Sequence, residues 1–284
     1  MQPPFPSFTP TWHNDTYPAI DPTKKELSQT GKTVIITGAG SGTGRQTAIA
    51  FATAGAKHLV LIGRTEADLI DTQKLIPASI TSAVFPVSVL DEEGIKRVAT
   101  EVGSWNVLIM GAAHVSKPAS IVNTELADWW LTYETNVKSI VIAAQAFFPL
   151  AAPEAAVYAI TAGAMVLPPA YTPNLSGYLS SKAAQVKVME FLAAENPELF
   201  ICTVHPGMLD TKVFRSSAAD ASKLPMDTYD LEANFMVWLT QPKNKFLQGR
   251  MVWANWDVDE LSAQSEKISN GALLTLGYNG WPFT

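Results

Sequence analysis

The sequence predicts an α/β fold, a single doubly wound parallel sheet with helices on both faces. Three observations predict it. Short runs rich in β-branched residues recur along the chain, and they are apolar throughout rather than alternating, as strands covered on both faces are. Helical patterns fall between them in βαβα order. A glycine-rich string separates the first such run from the first helical pattern. In sheets of this kind ligands sit beyond the carboxyl ends of the strands, so chemistry is sought just after each strand.

The elements follow in order. KTVIITG, residues 32–38, reads as a buried strand that ends at glycine, and residues 44–54 as a helix. HLVLIG (58–63), SAVFPVSV (82–89) and NVLIMGAA (106–113) are the next three strands. One long helix is expected over 126–148, then a fifth strand in AAVYAITA (155–162) and a helix over 178–196. FICTVHPG (200–207) and RMVWANW (250–256) complete the sheet. Residues 31–284 are expected to form one nucleotide-binding domain of Rossmann type. Residues 1–30 are expected to form an extended arm. Its prolines alternate with Phe5, Phe8, Trp12 and Tyr17, which predicts an arm laid over the domain or over a neighbouring subunit.

Composition narrows the function. The 284 residues are 47% hydrophobic and 16% charged, with a formal net charge of -6 and no long basic run. Nucleic acid is therefore not the expected partner, because phosphate binding needs clustered Lys and Arg. Cys202 is the only cysteine, which rules out an intrachain disulfide and speaks against a cysteine-based zinc site; no metal is expected. The first residues lack a basic stretch followed by an apolar run, and no segment reaches the ~18 apolar residues of a membrane span. A soluble, cytoplasmic protein is expected.

After the first strand the chain reads Thr37-Gly38-Ala39-Gly40-Ser41-Gly42-Thr43-Gly44. Glycines let a backbone approach a pyrophosphate closely, and a helix N-terminus offers unpaired N–H groups to its charge. Gly38, Ser41, Gly42, Thr43 and Gly44 are the residues expected to cradle a dinucleotide. At the end of the second strand stands Gly63-Arg64-Thr65. Arg64 can pair with a 2′-phosphate, and no carboxylate stands beside it, which favours NADP(H). A solvated surface arginine is the alternative.

These features resemble the short-chain dehydrogenase/reductase family. TGAGSGTG is similar to its TGxxxGxG fingerprint, and Tyr178-Leu179-Ser180-Ser181-Lys182 to its YxxxK. Asn136 in ETNVKS matches the family's helix asparagine, and His205-Pro206-Gly207 with Thr211 its PG motif. The resemblance covers about residues 30–258, and the arm together with VWANWDVDEL resembles a subgroup common in fungi and active in secondary metabolism. It implies that Tyr178 is the general acid or base, that Lys182 stabilises its phenolate and holds the nicotinamide ribose, and that Asn136 fixes a water leading to Lys182. Free tyrosine has a pKa near ~10, so such help is needed. One helical turn separates Tyr178 from Lys182, which puts both on one face. By the same resemblance Ser88, Val89, Ala112, Leu209 and Thr211 contribute to the cofactor site, and subunits pair through helices, here around 143–148 and after Tyr178, into a homodimer or homotetramer.

The sequence also departs from the family. Pairing Ile160-Thr161-Ala162 with the family's Ile-Ser-Ser puts alanine where the second serine acts on the substrate carbonyl. Thr161 is the expected substitute hydroxyl if the chain bulges near Gly163, since strand residues otherwise alternate faces. Ser176 is another source. Met110-Gly111-Ala112-Ala113 replaces the family's asparagine-bearing NNAG, and His114 follows as either a second acid/base or a packed or solvent-facing residue. The segment from Met208 to about Tyr229 should carry the substrate loop. Two enzymatic functions are weighed, ahead of a catalytically silent binding subunit, which is ranked last because Tyr178 and Lys182 are both present. The first is an NADP(H)-dependent oxidoreductase interconverting a carbonyl and an alcohol on a small apolar metabolite. The second is a non-redox isomerase, cyclase or dehydratase on the same fold.

Overall fold

Seven strands form the sheet: β1 (Thr33–Thr37), β2 (His58–Gly63), β3 (Thr81–Pro86), β4 (Trp105–Met110), β5 (Ala151–Ile160), β6 (Phe200–His205) and β7 (Met251–Trp253). They are parallel and lie in the order β3-β2-β1-β4-β5-β6-β7. The computed structural model that shows this describes residues 6–211, 214–215 and 221–277; Phe5 of the arm and part of the expected substrate loop lie outside them.

The helices are α1 (Gly42–Thr53), α2 (Glu66–Lys74), α3 (Glu92–Val102), α4 (Leu126–Tyr133), α5 (Ser139–Phe147), α6 (Ser176–Glu195), α7 (Tyr229–Leu239), α8 (Val258–Ser262) and α9 (Ser265–Ser269). Strand alternation sorts the core into two layers. Ile36, Leu61 and Ile109 are register partners on β1, β2 and β4, and all face α1 and α7. Their neighbours Ile35, Val60 and Leu108 face α3, α5 and α6. A one-residue slip would swap the layers, so burial on both faces fixes the register. Local signals agree: α3 buries Ile95, Val98 and Ala99 at helical spacing, and Asp91 caps it by accepting from the Gly94 N–H at 2.9 Å, a bond worth ~1 kcal/mol.

Three expectations need correction. The helix over 126–148 is not continuous: a π-helical turn, Glu134–Lys138, separates α4 from α5. The wider turn carries the buried Asn136, whose Oδ1 accepts from the His114 N–H at 2.9 Å while Nδ2 donates to the His114 carbonyl oxygen at 3.0 Å. The third strand stops at Pro86 rather than Val89, leaving Val87–Leu90 free to border the crevice. The fifth strand begins earlier, at Ala151, with a register shift opposite Trp105 and Val107.

The arm lies on its own domain. Trp12 bridges to Trp256 and packs against Trp253, with ring centroids 5.9 Å apart. The Tyr17 hydroxyl donates to the Trp256 carbonyl oxygen at 3.2 Å, and Glu260 accepts from the Thr11 hydroxyl at 2.5 Å. The arm thus covers the stretch just beyond β7, while the Leu274 carbonyl accepts from the Met251 N–H of β7 itself at 2.8 Å. Among the described residues, no helix is long and apolar enough to cross a membrane.

Candidate active site

Strand order reverses between β1 and β4, and a cleft of about 1230 Å³ opens there, over the carboxyl ends of the strands. One end of the cleft is the loop from β1 to α1. Gly38 has φ +74°, and a Cβ on it would come within 2.9 Å of the Ala112 amide nitrogen. Only glycine fits this approach between the β1 and β4 loops. Gly44 lies inside the first turn of α1, packed against the Gly38 carbonyl, and does not itself line the cleft. Ser41, Gly42 and Thr43 do line it, and the Ser41 side chain makes no cap hydrogen bond to the helix. The first N–H groups of α1 are therefore available to an anion. Arg45 braces the loop from behind, donating to the Gly40 carbonyl at 2.5 Å and to Thr72 Oγ1 at 3.0 Å.

Arg64 and Thr65 are exposed at the end of β2 and border the same cavity. So does Asp68, in the first turn of α2, a carboxylate that the three residues after the strand do not announce. Ser88 and Val89 line the next wall, and Ser88 Oγ is taken up by the Leu90 N–H at 3.2 Å. Ala112 faces the cleft with Gly111. The family's asparagine has no room at position 111, where a Cβ would lie 2.9 Å from the Thr37 carbonyl oxygen. Thr37 Oγ1 instead accepts from the amides of Gly111 and Ala112, at 3.1 and 3.3 Å, and so joins β1 to β4. The glycine loop, the open helix N-terminus and the small-residue wall fit a dinucleotide.

The other end of the cleft holds Tyr178 and Lys182 on one face of α6. Lys182 is only 2% exposed, which is rare for lysine. Its Nζ donates to the Ile160 carbonyl oxygen at 2.7 Å and to Gln185 Oε1 at 3.1 Å, and lies 5.8 Å from the Tyr178 ring centroid. Burial pushes Lys182 down to about 7 and the Tyr178 phenol up. Asn136 does not touch Lys182. Its Nδ2 donates to Ser181 Oγ at 2.9 Å, and Ser181 Oγ donates to the Tyr178 carbonyl oxygen at 2.7 Å. Asn136 thus ties α6 to the loop after β4.

Ala162 lines the cleft next to Thr161. The Thr161 N–H still follows the sheet, donating to the Val204 carbonyl at 2.8 Å, and its hydroxyl reaches Met165 Sδ at 3.9 Å. Ser176 is not a spare hydroxyl for the cleft: it accepts from Trp129 Nε1 at 3.1 Å. His114 does not line the cleft either. It pairs through Nε2 with Asp128 Oδ1 at 2.7 Å, and Asp128, which also accepts from the Lys117 N–H, is held below the usual carboxylate range chiefly by that N–H. His114 is therefore a packed residue, the second of the two readings offered above.

Leu209 and Thr211 line the cleft below the substrate loop, and the base of that loop is closed by a clasp. The Met208 N–H donates to Asp227 Oδ2 at 2.6 Å, and the Asp227 N–H to the Met208 carbonyl at 2.8 Å. Asn14 of the arm donates to the other Asp227 oxygen at 2.6 Å. Sequence reasoning missed Thr135, Leu131, Leu175, Leu179, His205 and Trp253, which complete the walls. His205, the first residue of the matched PG motif, and Trp253, within VWANWDVDEL, carried a signal; the others did not.

The family model for short chain dehydrogenases, adh_short, matches residues 32–222. The chain belongs to the short chain dehydrogenase family. It is 34% identical to the short chain dehydrogenase citE of Monascus ruber over 92% of this chain and 94% of that protein, in line with the fungal subgroup. The fold matches a short chain dehydrogenase from Shigella flexneri complexed with NADP (TM-score 0.72, 20% identity, 81% of this chain and 99% of that one). It also matches the 3-ketoacyl-(acyl-carrier-protein) reductase of Brucella melitensis complexed with NADH (TM-score 0.71, 20% identity, 80% and 97%). The chain is thus of an oxidoreductase family whose members bind a nicotinamide cofactor.

Proposed function

We propose that the protein is an NADP(H)-dependent oxidoreductase that interconverts a carbonyl and an alcohol on a small, apolar metabolite of fungal secondary metabolism. The observation that carries the reading is the pairing of the half-buried Tyr178 with the buried Lys182 in a cleft that also holds a dinucleotide cradle. When bound, the cofactor supplies the hydride that reaches the carbonyl carbon. Tyr178 gives its phenolic proton to the carbonyl oxygen, or takes one from an alcohol in the reverse direction. Lys182, held at about 7, takes up and releases a proton near neutral pH and so restores the tyrosine. Asn136 and Ser181 keep α6 in register with the cleft and act as positioning residues.

Gly38, Ser41, Gly42 and Thr43 would hold the pyrophosphate, with Ser88, Val89 and Ala112 around the adenosine. Leu209 and Thr211 would border the nicotinamide. The exposed Arg64 supports NADP(H), because a guanidinium pairs with a phosphate in two hydrogen bonds. The solved relatives do not decide this, one being complexed with NADP and one with NADH. Apolar walls formed by Leu131, Leu167, Leu175 and Trp253 support an apolar substrate. The non-redox reading rested on the missing serine at Ala162 and on His114, and the bond from His114 to Asp128 removes the second of these supports. Thr161 is the hydroxyl proposed to assist where Ala162 cannot. A homodimer or homotetramer is proposed too: Ala143 and Phe147 are buried in the domain's own core, and Leu126, Trp130, Val141 and Phe191 present exposed apolar surface on the helices around them. Following NADPH oxidation over a panel of ketones and aldehydes tests the reading; cofactor binding without turnover of any carbonyl would count against it.

A further inference from the structure

Three of the four histidines are engaged by side chains away from the cleft. His13 pairs with Asp257 at 2.9 Å, His114 with Asp128 at 2.7 Å, and His58 with Thr81 Oγ1 at 2.8 Å. The fourth, His205, ends β6 and lines the cleft. Its Nδ1 accepts from the Gly163 N–H at 3.0 Å. A ring nitrogen that accepts a hydrogen bond carries no proton, so the neutral ring carries its proton on Nε2. No described residue accepts a hydrogen bond from Nε2.

The ring is also fixed in place. It meets Trp253 edge-on, with centroids 4.4 Å apart and planes at 75°. A Cβ at Gly163 would come within 2.7 Å of Trp253 and 2.8 Å of the His205 ring, so glycine is what lets the turn after β5 close on both rings. Gly163 is the residue after Ala162, the position that lacks the hydroxyl.

We propose that His205 is a substrate-positioning residue, its Nε2–H donating to an oxygen of the apolar ligand beside Ala162. The donor is preorganised, because the Gly163 amide sets the tautomer and Trp253 sets the ring plane. Burial pushes His205 down to about 3, so the ring remains a neutral single donor across the physiological range. Beside the Tyr178 and Thr161 hydroxyls, the ligand would meet a further donor at a defined point of a wall that also carries Leu131, Leu167, Leu175 and Trp253, which selects for position of its oxygen as well as for size.

The kinetic part of the test rests on the oxidoreductase reading, and the spectroscopic part does not. His205→Asn places an amide oxygen near Nδ1, so it keeps the Gly163 anchor and loses the Nε2 donor. His205→Gln places an amide nitrogen near Nε2, so it keeps the donor and loses the anchor. With NADPH and 9,10-phenanthrenequinone or acetophenone, His205→Asn is expected to lower kcat/KM by ~10–100-fold, as for a lost preorganised donor. His205→Gln is expected to stay within about five-fold, a loss of about 1 kcal/mol, and NADPH affinity to be unchanged in both. Equal losses in the two variants, or a larger loss in His205→Gln, would make His205 an architectural residue and overturn the proposal. Nitrogen-15 NMR of the histidine rings should show one ring as the neutral Nε2–H tautomer from about pH 8 down to about pH 5. Protonation of all four rings above pH ~5, or an Nδ1–H tautomer at His205, would overturn it as well. If the wild type reduces neither probe, the oxidoreductase reading is at fault, and the tautomer still decides whether the donor exists.

Discussion

Lys182 Nζ donates to the carbonyl oxygen of Ile160, the last residue of β5, at 2.7 Å. The bond pins the catalytic helix to the end of β5, beside the position where the serine is missing. Lys182→Met keeps the stem volume but removes the charge and both donors. We expect turnover to fall by ~10²–10⁴-fold, the range of a lost acid–base relay. The wild-type kcat/KM for reduction should fall as pH rises through about 7, where Lys182 loses its proton, and that inflection should be absent from the variant. A pH–rate profile of both proteins checks it.

NADPH should bind more tightly than NADH. Arg64→Ala should weaken NADPH by about ten- to a hundred-fold, the loss of one charge-assisted contact of about 1.5–3 kcal/mol, and leave NADH nearly unchanged. Fluorescence titration of both cofactors measures this. Equal affinities unaffected by the substitution would shift attention to Asp68, the carboxylate bordering the same cavity.

Glu232 on α7 is fully buried against α1, where Oε1 accepts from Thr47 Oγ1 at 3.3 Å. Burial pushes it up to about 8, from an ordinary value of 4.5. A raised carboxyl keeps its proton in the fold while the unfolded chain releases it, so its contribution to stability is complete at acid pH and is lost as pH rises through about 8. Glu232→Gln should therefore have the higher Tm at pH ~8, with the gap closing towards pH ~5. Thermal melts of the two proteins across that range test the sign.

Thr161→Val should cost about five-fold in turnover, the worth of one neutral hydrogen bond of ~1 kcal/mol, because its hydroxyl is engaged only by Met165 Sδ and can turn. Ala162→Ser should be neutral or mildly activating. Steady-state rates of both variants would show whether any hydroxyl at this strand end matters.

Much of this site was legible because its signals are local. The glycine loop joins β1 to α1 within a few residues, and Tyr178 and Lys182 sit one turn apart on a single helix. What was not legible depends on partners distant in sequence. His205 is set by Gly163, 42 residues away, and the arm by Asp257, 244 residues from His13. The π turn was hidden for the same reason: ETNVKS has ordinary helical character, and only the burial of Asn136 against the β4 loop calls for the wider turn. Asp68 escaped notice because the helix start, not the strand end, brings it to the cleft.

The most direct test of the account is Tyr178→Phe, assayed for carbonyl reduction and for NADPH binding in the same preparation. The phenol is the one group assigned to give up the proton, and the ring's packing is preserved by phenylalanine. Turnover is expected to fall by at least ~10³-fold, within the range for general acid catalysis, with NADPH affinity within about three-fold of wild type. Full turnover by Tyr178→Phe on a carbonyl that the wild type reduces would contradict the account.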